Sequence, residues 1–510
     1  MAAQSADSPA RPDPGAAGPE KNPKRWWVLA VICVAQLMVV LDATVMNLAL
    51  PSAQEALDFS NADRQWVVTA YALSFGSLLL FCGRLADLIG HKITFLVGVV
   101  GFAGASAIGG ASVNFTMLVT ARAGQGVFAA LLAPAALALL ATTFTDPKER
   151  GRAFGAYGGV AASGAGLGLI IGGALTSGLS WRWCMYVNLV FAAFAVIGAA
   201  LPMGGKKART LGARLDIPGV IAVSSGMFCL VYGFSNAGTH SWHATSTWGF
   251  LAAAVVLLVL FAIWQTRAER PLLPPRIVLD RNRGGAYLTM LVLGSGMFGL
   301  FLFLIYYMQT TLGYSAIKSG TALLPMVLAT IVGSGVGNVV VMPKYGPRWL
   351  ACTGLALGAG GTAWLTRIGT DSPYAGALLG PTMVIGLGIG LTFASTLQTA
   401  TARVAPQEAG IASAGLQVGQ QLGGAIGTAL LNTIAATAVT DYLDDHAKGK
   451  PTPALLKLAA VHGYSTAFWW CTGIFVFGVV FCTALLRSGP VSAPEGGAPT
   501  PSPRAEAARA

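Results

Sequence analysis

Two residues able to carry charge sit inside apolar sequence. Asp42 interrupts "LMVVLDATVMNLALP" (37–51), and Arg122 interrupts "LVTARAGQGVFAA" (118–130). An ionisable side chain inside a membrane span costs about 2.5–3.5 kcal/mol on insertion scales, so such a residue marks function by default. The chemistry open to this pair is reversible proton binding. Burial favours the neutral form of a carboxyl and a nearby guanidinium favours the charged form, so moving one relative to the other loads or unloads a proton. Arginine stays protonated and cannot be the carrier. The other reading is a static ion pair that locks two helices, although buried pairs do not reliably add stability. No other carboxylate lies deep within an apolar run, which makes Asp42 the candidate proton site.

The elements that must position this pair are membrane helices. Of the 510 residues 54% are hydrophobic and 10% charged, far from the roughly 25% charged residues of a soluble protein. Mean hydropathy is +0.65. Apolar runs recur over almost the whole length, and the 65 glycines inside them suit close helix packing. Fourteen spans are expected, at 26–50, 64–82, 93–112, 115–142, 154–179, 183–203, 216–236, 247–266, 286–309, 319–341, 350–369, 373–398, 411–436 and 465–487. With the N-terminus inside, 24 Lys and Arg fall on the inner side and seven on the outer, which sets both termini in the cytoplasm. That placement accounts for the net charge of +12 and excludes nucleic-acid binding. Asp42 then lies roughly 12 Å and Arg122 roughly 10 Å below the outer boundary, at similar depth.

Two basic connections, "GGKKARTLGAR" (204–214) and "RAERPLLPPRIVLDRNRGG" (267–285), bracket spans seven and eight. The expected architecture is therefore an all-α membrane protein of 14 transmembrane helices. It comprises a six-helix bundle (26–203), a two-helix insert with its cytoplasmic loops (204–285) and a second six-helix bundle (286–487). Residues 1–25 and 488–510, rich in Pro and Ala, read as disordered cytoplasmic tails. The first run exceeds the core of a signal peptide and reads as a retained helix. Transporters are commonly built from two such halves with the substrate site between them.

The motifs agree with that architecture. "GRLADLIGHK" (83–92) reads as a cytoplasmic loop whose Gly83, Asp87 and Gly90 resemble the signature loop between helices two and three of the major facilitator superfamily. Arg122, Gln125 and Gly126 are similar to its helix-four motif. "GAGLGLIIGGAL" (164–175) resembles the helix-five motif of its antiporters, with Leu169 where a Pro usually follows Gly168. "LDATVMNLALP" and "WRWCMYVN" (181–188) resemble helices one and six of the fourteen-helix drug:proton antiporter branch, and "MPKYGPRW" (342–349) is a faint second copy of the signature loop. The resemblance implies that Asp42 and Arg122 couple protons. It implies that Asp87 with Arg84 latches the cytoplasmic side, a helix N-terminus being a plausible partner for the carboxylate. It also implies that Gly164, Gly168, Gly172 and Gly173 form a close-packed seam on which the halves rock. Leu88 and His91 stand where the family often has Arg.

Several weaker signals carry less. "GQGVFA" (124–129) fits a dinucleotide-binding pattern but follows no strand. His240 and His243 form an HxxH without further ligands close in sequence. The seven cysteines show no CxxC spacing and read as packing residues. No metal, cofactor or enzymatic chemistry is expected, and no obligate protein partner. Tyr306, Gln309, Gln398, Gln417 and Gln421 are substrate-cavity candidates, with ordinary helix packing as the other reading. The expected function is proton-coupled efflux of small amphipathic compounds such as drugs or antibiotics across the cytoplasmic membrane. Arg exceeds Lys, 21 to 11, which points to a GC-rich bacterium. A uniporter or importer of a metabolite on the same fold is the alternative, and a membrane sensor or scaffold is a third class.

Overall fold

Long apolar runs can satisfy their backbone in hydrocarbon only as helices or closed barrels, and this chain forms helices. A computed structural model describes residues 24–200, 215–239, 242, 244–269, 271–402, 404–405, 408–446 and 451–486. Both tails and the 201–214 connection lie outside them, as do His240 and His243. In chain order the described helices are α1 (Arg25–Leu57), α2 (Asn61–Ile89), α3 (His91–Gly110), α4 (Phe115–Thr143), α5 (Pro147–Gly178), α6 (Trp183–Ala200), α7 (Ile217–Thr239) and α8 (Thr245–Arg267). The single turn α9 (Pro275–Val278) precedes α10 (Arg281–Tyr306), α11 (Ala316–Val336), α12 (Met342–Leu365), α13 (Gly380–Ala400), α14 (Ala409–His446) and α15 (Pro453–Leu485). Wider π turns extend α10 and α11 at their ends and lead into α13.

Capping residues set the register. Asn114 accepts from the amide of Met117 to start α4, and Asp146 accepts from Lys148 and Glu149 to start α5, with Pro147 in its first turn. Ser60, Asp280, Ser315 and Thr452 do the same for α2, α10, α11 and α15.

Three local features depart from expectation. The segment Gly83–Lys92 is not an open loop: α2 continues to Ile89, α3 starts at His91, and only Gly90, at φ +107°, breaks the helix. Gly346, at φ +79°, breaks α12 in the same way within the second copy of that motif. Glycine meets both positions because it alone takes positive φ without a side-chain clash. Helix α5 bends by 41° between Lys148–Ala161 and Gly166–Thr176. The break falls between Ala161 and Gly166 rather than at Leu169, in a stretch that contains the adjacent Ser163 and Gly164, and such a pair is a known cause of helix bends.

Helices α1 to α6 pack on one another, as do α10 to α15. The groups meet chiefly where α5 lies along α11 and where α2 meets α14. The α7–α8 pair lies beside the second contact and touches both α2 and α14. There Thr69 bonds Ser235 at 3.2 Å, and the Trp242 indole donates to Thr433 at 2.7 Å. Among the described residues eleven helices are long and apolar enough to cross a membrane, or twelve if the bent α5 is one span. The shorter α6 and the broken α12 fall outside that count, so length and composition alone do not reach fourteen. The chain is an all-helical, multi-pass membrane protein.

Candidate functional site

Asp42 lies midway along α1, and Arg122 and Gln125 are one turn apart on α4, so both point from the same helix face. Gly126, one turn beyond Arg122, brings that face onto α2: a Cβ there would lie 2.5 Å from the carbonyl oxygen of Tyr71. The close approach lets Arg122 Nε donate to the Val67 carbonyl at 3.2 Å, with its guanidinium 4.7 Å from the centre of the Tyr71 ring.

The two charged side chains meet. Arg122 Nη1 donates to Asp42 Oδ2 at 2.5 Å, and both residues are 1% exposed. Asp42 Oδ1 accepts from Gln125 Nε2 at 2.8 Å and from Asn188 Nδ2 of α6 at 2.7 Å. Gln125 Oε1 in turn accepts from Arg122 Nη1 at 2.7 Å. Ser106 of α3 accepts from Gln125 at 2.7 Å and from Asn188 at 3.2 Å. Helices α4 and α6 thus supply the donors to the carboxylate of α1, α2 and α3 hold those donors in turn, and each group bonded to the carboxylate is a donor. That is the arrangement a buried anion requires. Sequence reasoning missed Asn188, Ser106 and Tyr71. They are neutral, and only the quoted stretch ending at Asn188 gave any hint of the amide.

The signature-motif residues gather at the opposite end of α2. Asp87 is buried and accepts from the amides of Gly410 at 2.8 Å and Ile411 at 3.1 Å, in the first turn of α14. His91 Nε2 lies 2.9 Å from the same carboxylate. Gly83 allows the crossing, since a Cβ there would meet Ala414 and the Gly410 carbonyl at under 3 Å. Arg84 is part-buried, and among the described residues the bonds of this contact come from Gly410, Ile411 and His91 instead. A second bond joins the two helix groups at this end: Arg150 of α5 donates to the carbonyl and hydroxyl oxygens of Thr401, both at 2.8 Å, at the C-terminus of α13.

The glycine seam divides. Cβ atoms at Gly164, Gly168 and Gly172 would meet Val40, Thr44 and Val45 of α1, inside the first helix group. Only Gly173 reaches α11, at Ile317. The face of α5 that meets α11 is built from Gly155, Gly159 and Gly166, which the motif did not single out.

The five cavity candidates differ in burial. Tyr306 is exposed, Gln309 and Gln421 are part-buried, Gln417 is buried, and Gln398 has a buried Oε1 without a partner among the described residues. A narrow apolar pocket opens instead between α10, α11 and α13, lined by Met297, Phe301, Met326, Thr330 and Ile389 among others, and by none of the five. The seven cysteines are free.

Comparison with known proteins decides the family. The sequence profile of the Major Facilitator Superfamily matches residues 32–428. The chain belongs to that superfamily. Among its relatives, the puromycin resistance protein pur8 of Streptomyces alboniger is 45% identical over 504 residues, covering 98% of this chain and 99% of the relative. The cephamycin export protein CmcT of Amycolatopsis lactamdurans is 38% identical, covering 81% and 85%. The tetracenomycin C resistance and export protein of Streptomyces glaucescens is 32% identical, covering 82% and 78%. The human organic anion transporter MFSD10 (TETRAN) has the same fold, with a TM-score of 0.63 at 13% identity over 90% of this chain and 100% of that one. Within a major facilitator fold, the Asp42 cluster lies inside the first helix group, and the Asp87 and Arg150 contacts bridge the two groups.

Proposed function

We propose that this superfamily member exports small amphipathic compounds, antibiotics among them, from a bacterial cytoplasm in exchange for protons. Asp42 is the proton carrier and Arg122 its switching partner. The observation that carries the reading is the Asp42–Arg122 bond, buried and supported by donors from two helices. An ion pair at this depth is costly, and replacing one by apolar residues is often neutral or stabilising. Retention of a carboxylate there is therefore explained by its use. The names of the relatives, which speak of resistance and export, support the direction of transport.

In this reading the spans number fourteen, α6 and α12 included, with α1–α6 and α10–α15 as the moving bundles and α7–α8 as the insert. Both termini and the Asp87 end face the cytoplasm, in keeping with the 24-to-7 distribution of Lys and Arg. Protonation of Asp42 from outside frees Arg122 from its partner. The bundles then rock about the α5–α11 contact, the Asp87 and Arg150 bonds part, and substrate enters from the cytoplasm as the proton leaves. The test is transport of a panel of toxic amphipathic compounds by purified protein in liposomes with an imposed pH gradient. Efflux follows the gradient in the native protein, and Asp42→Asn inserts normally but loses that response. Transport indifferent to the gradient would favour a uniporter.

A further inference from the structure

Two amides touch the Asp42 carboxylate, and they are held differently. Gln125 is fixed at both ends: Oε1 accepts from Arg122, while Nε2 donates to Asp42 and Ser106. Turned over, it would set an NH2 group against a guanidinium that only donates. Asn188 is fixed at one end. Its Nδ2 donates to Asp42 at 2.7 Å and to Ser106 at 3.2 Å. Its Oδ1 is buried with no partner among the described residues. A buried unpaired acceptor costs free energy, and each one in a native structure calls for an explanation.

We propose that Asn188 is a positioning residue of the proton step, whose amide turns over when Asp42 takes up a proton. The inference rests on the reading of Asp42 as the proton site. While Asp42 is ionised its partners must all donate, and Asn188 presents Nδ2. A hydronium ion from the outer side then gives up its proton: its O–H bond breaks, an O–H bond forms at Asp42 Oδ1, and water departs. Oδ1 has become a donor and needs an acceptor. Arg122 has none to offer, and the acceptor of Gln125 is already occupied. Asn188, rotated about its final torsion, offers Oδ1 both to the new O–H and to the hydroxyl of Ser106. That torsion is soft and roughly two-fold. The amide makes two hydrogen bonds in either orientation, so Asp42 stays partnered in both protonation states.

The other titratable groups near Asp42 are Arg122 on α4, Tyr71 on α2 and Cys184 on α6. Helix α3 brings only the neutral Ser106, and α5 meets α1 at this level through Gly164 and Gly168. Ser106, Tyr71 and Cys184 can each donate and accept, but among the described residues none of them bonds Asp42, whereas the Asn188 amide bonds its Oδ1 directly.

The test compares two substitutions of the same shape. Asn188→Thr keeps a hydroxyl that donates or accepts, and Asn188→Val keeps neither. In proteoliposomes Asn188→Val loses about tenfold in gradient-driven efflux, the worth of one hydrogen bond to a charged group, and its pH profile is displaced. Asn188→Thr retains most of the rate and the native profile. Equal rates and profiles in the two variants overturn the proposal, as does an equal loss in both. A second arm needs no substitution at 188: in protein labelled with 15N-asparagine, the Asn188 amide signals change with pH in the native chain and not in Asp42→Asn. Signals that stay constant through the transport range also overturn it. If instead Asp42→Asn keeps full proton coupling, the underlying reading fails, whatever the variants at 188 do.

Discussion

Arg122 and Asp42 each remove the cost that the other carries inside the membrane. Truncating one leaves a buried charge unpaired, which destabilises proteins by about 3–5 kcal/mol. Arg122→Gln should therefore lower the melting temperature of the detergent-solubilised protein sharply. Adding Asp42→Asn should recover part of the loss, because a neutral amide then replaces the unpaired carboxylate. Strictly additive losses would mean that the two side chains do not interact energetically. The pair was legible in sequence because charge inside an apolar run is conspicuous, and matched depth follows from counting residues along helices. Asn188 and Ser106 were not legible as partners. A neutral amide or hydroxyl in a membrane helix is ordinary, and only the meeting of α3, α4 and α6 shows which one faces the carboxylate.

Among elements, the helix contacts depend on the absence of side chains at a few crossings. A Cβ at Gly423 of α14 would lie 2.0 Å from the carbonyl oxygen of Leu291 in α10, a backbone atom that cannot move aside. Gly423→Ala should force the two helices apart and destabilise by about 1–3 kcal/mol, the usual range for overpacking. Gly104→Ala, where nothing lies within 4 Å, should be neutral or gain up to about 1 kcal/mol from helix propensity. Thermal unfolding of the two variants side by side checks this, and equal stability would contradict the packing argument. The four-residue spacing of Gly164, Gly168 and Gly172 showed that α5 has a smooth face, but not that α1 rather than α11 lies on it. Sequence ended span two near Gly83 because polar residues begin there. The helix runs on because Asp87 finds its partners in the first turn of α14, a contact more than 300 residues distant in sequence.

At the scale of the whole molecule, the two helix groups are joined, at the end of α2 away from the Asp42 cluster, by complementary bonds. Asp87 sits at the positive end of α14, and Arg150 at the negative end of α13, so each charge matches the helix dipole it meets. Asp87→Asn or Arg150→Gln should each raise the population open at this end by about tenfold, the equivalent of one lost charge-assisted hydrogen bond. Distances between spin labels placed on the α2–α3 turn and the α13–α14 connection report it, and unchanged distributions would rule the clasp out. Cross-bundle contacts of this kind leave no local trace in sequence beyond the signature motif. The central claim, that Asp42 carries the proton exchanged for substrate, is tested most directly by watching the protons themselves. With a pH-sensitive dye sealed in proteoliposomes, a substrate gradient imposed across the native protein should drive protons the opposite way, and across Asp42→Asn it should drive none. Counter-flow of protons through Asp42→Asn at the native rate would contradict the account.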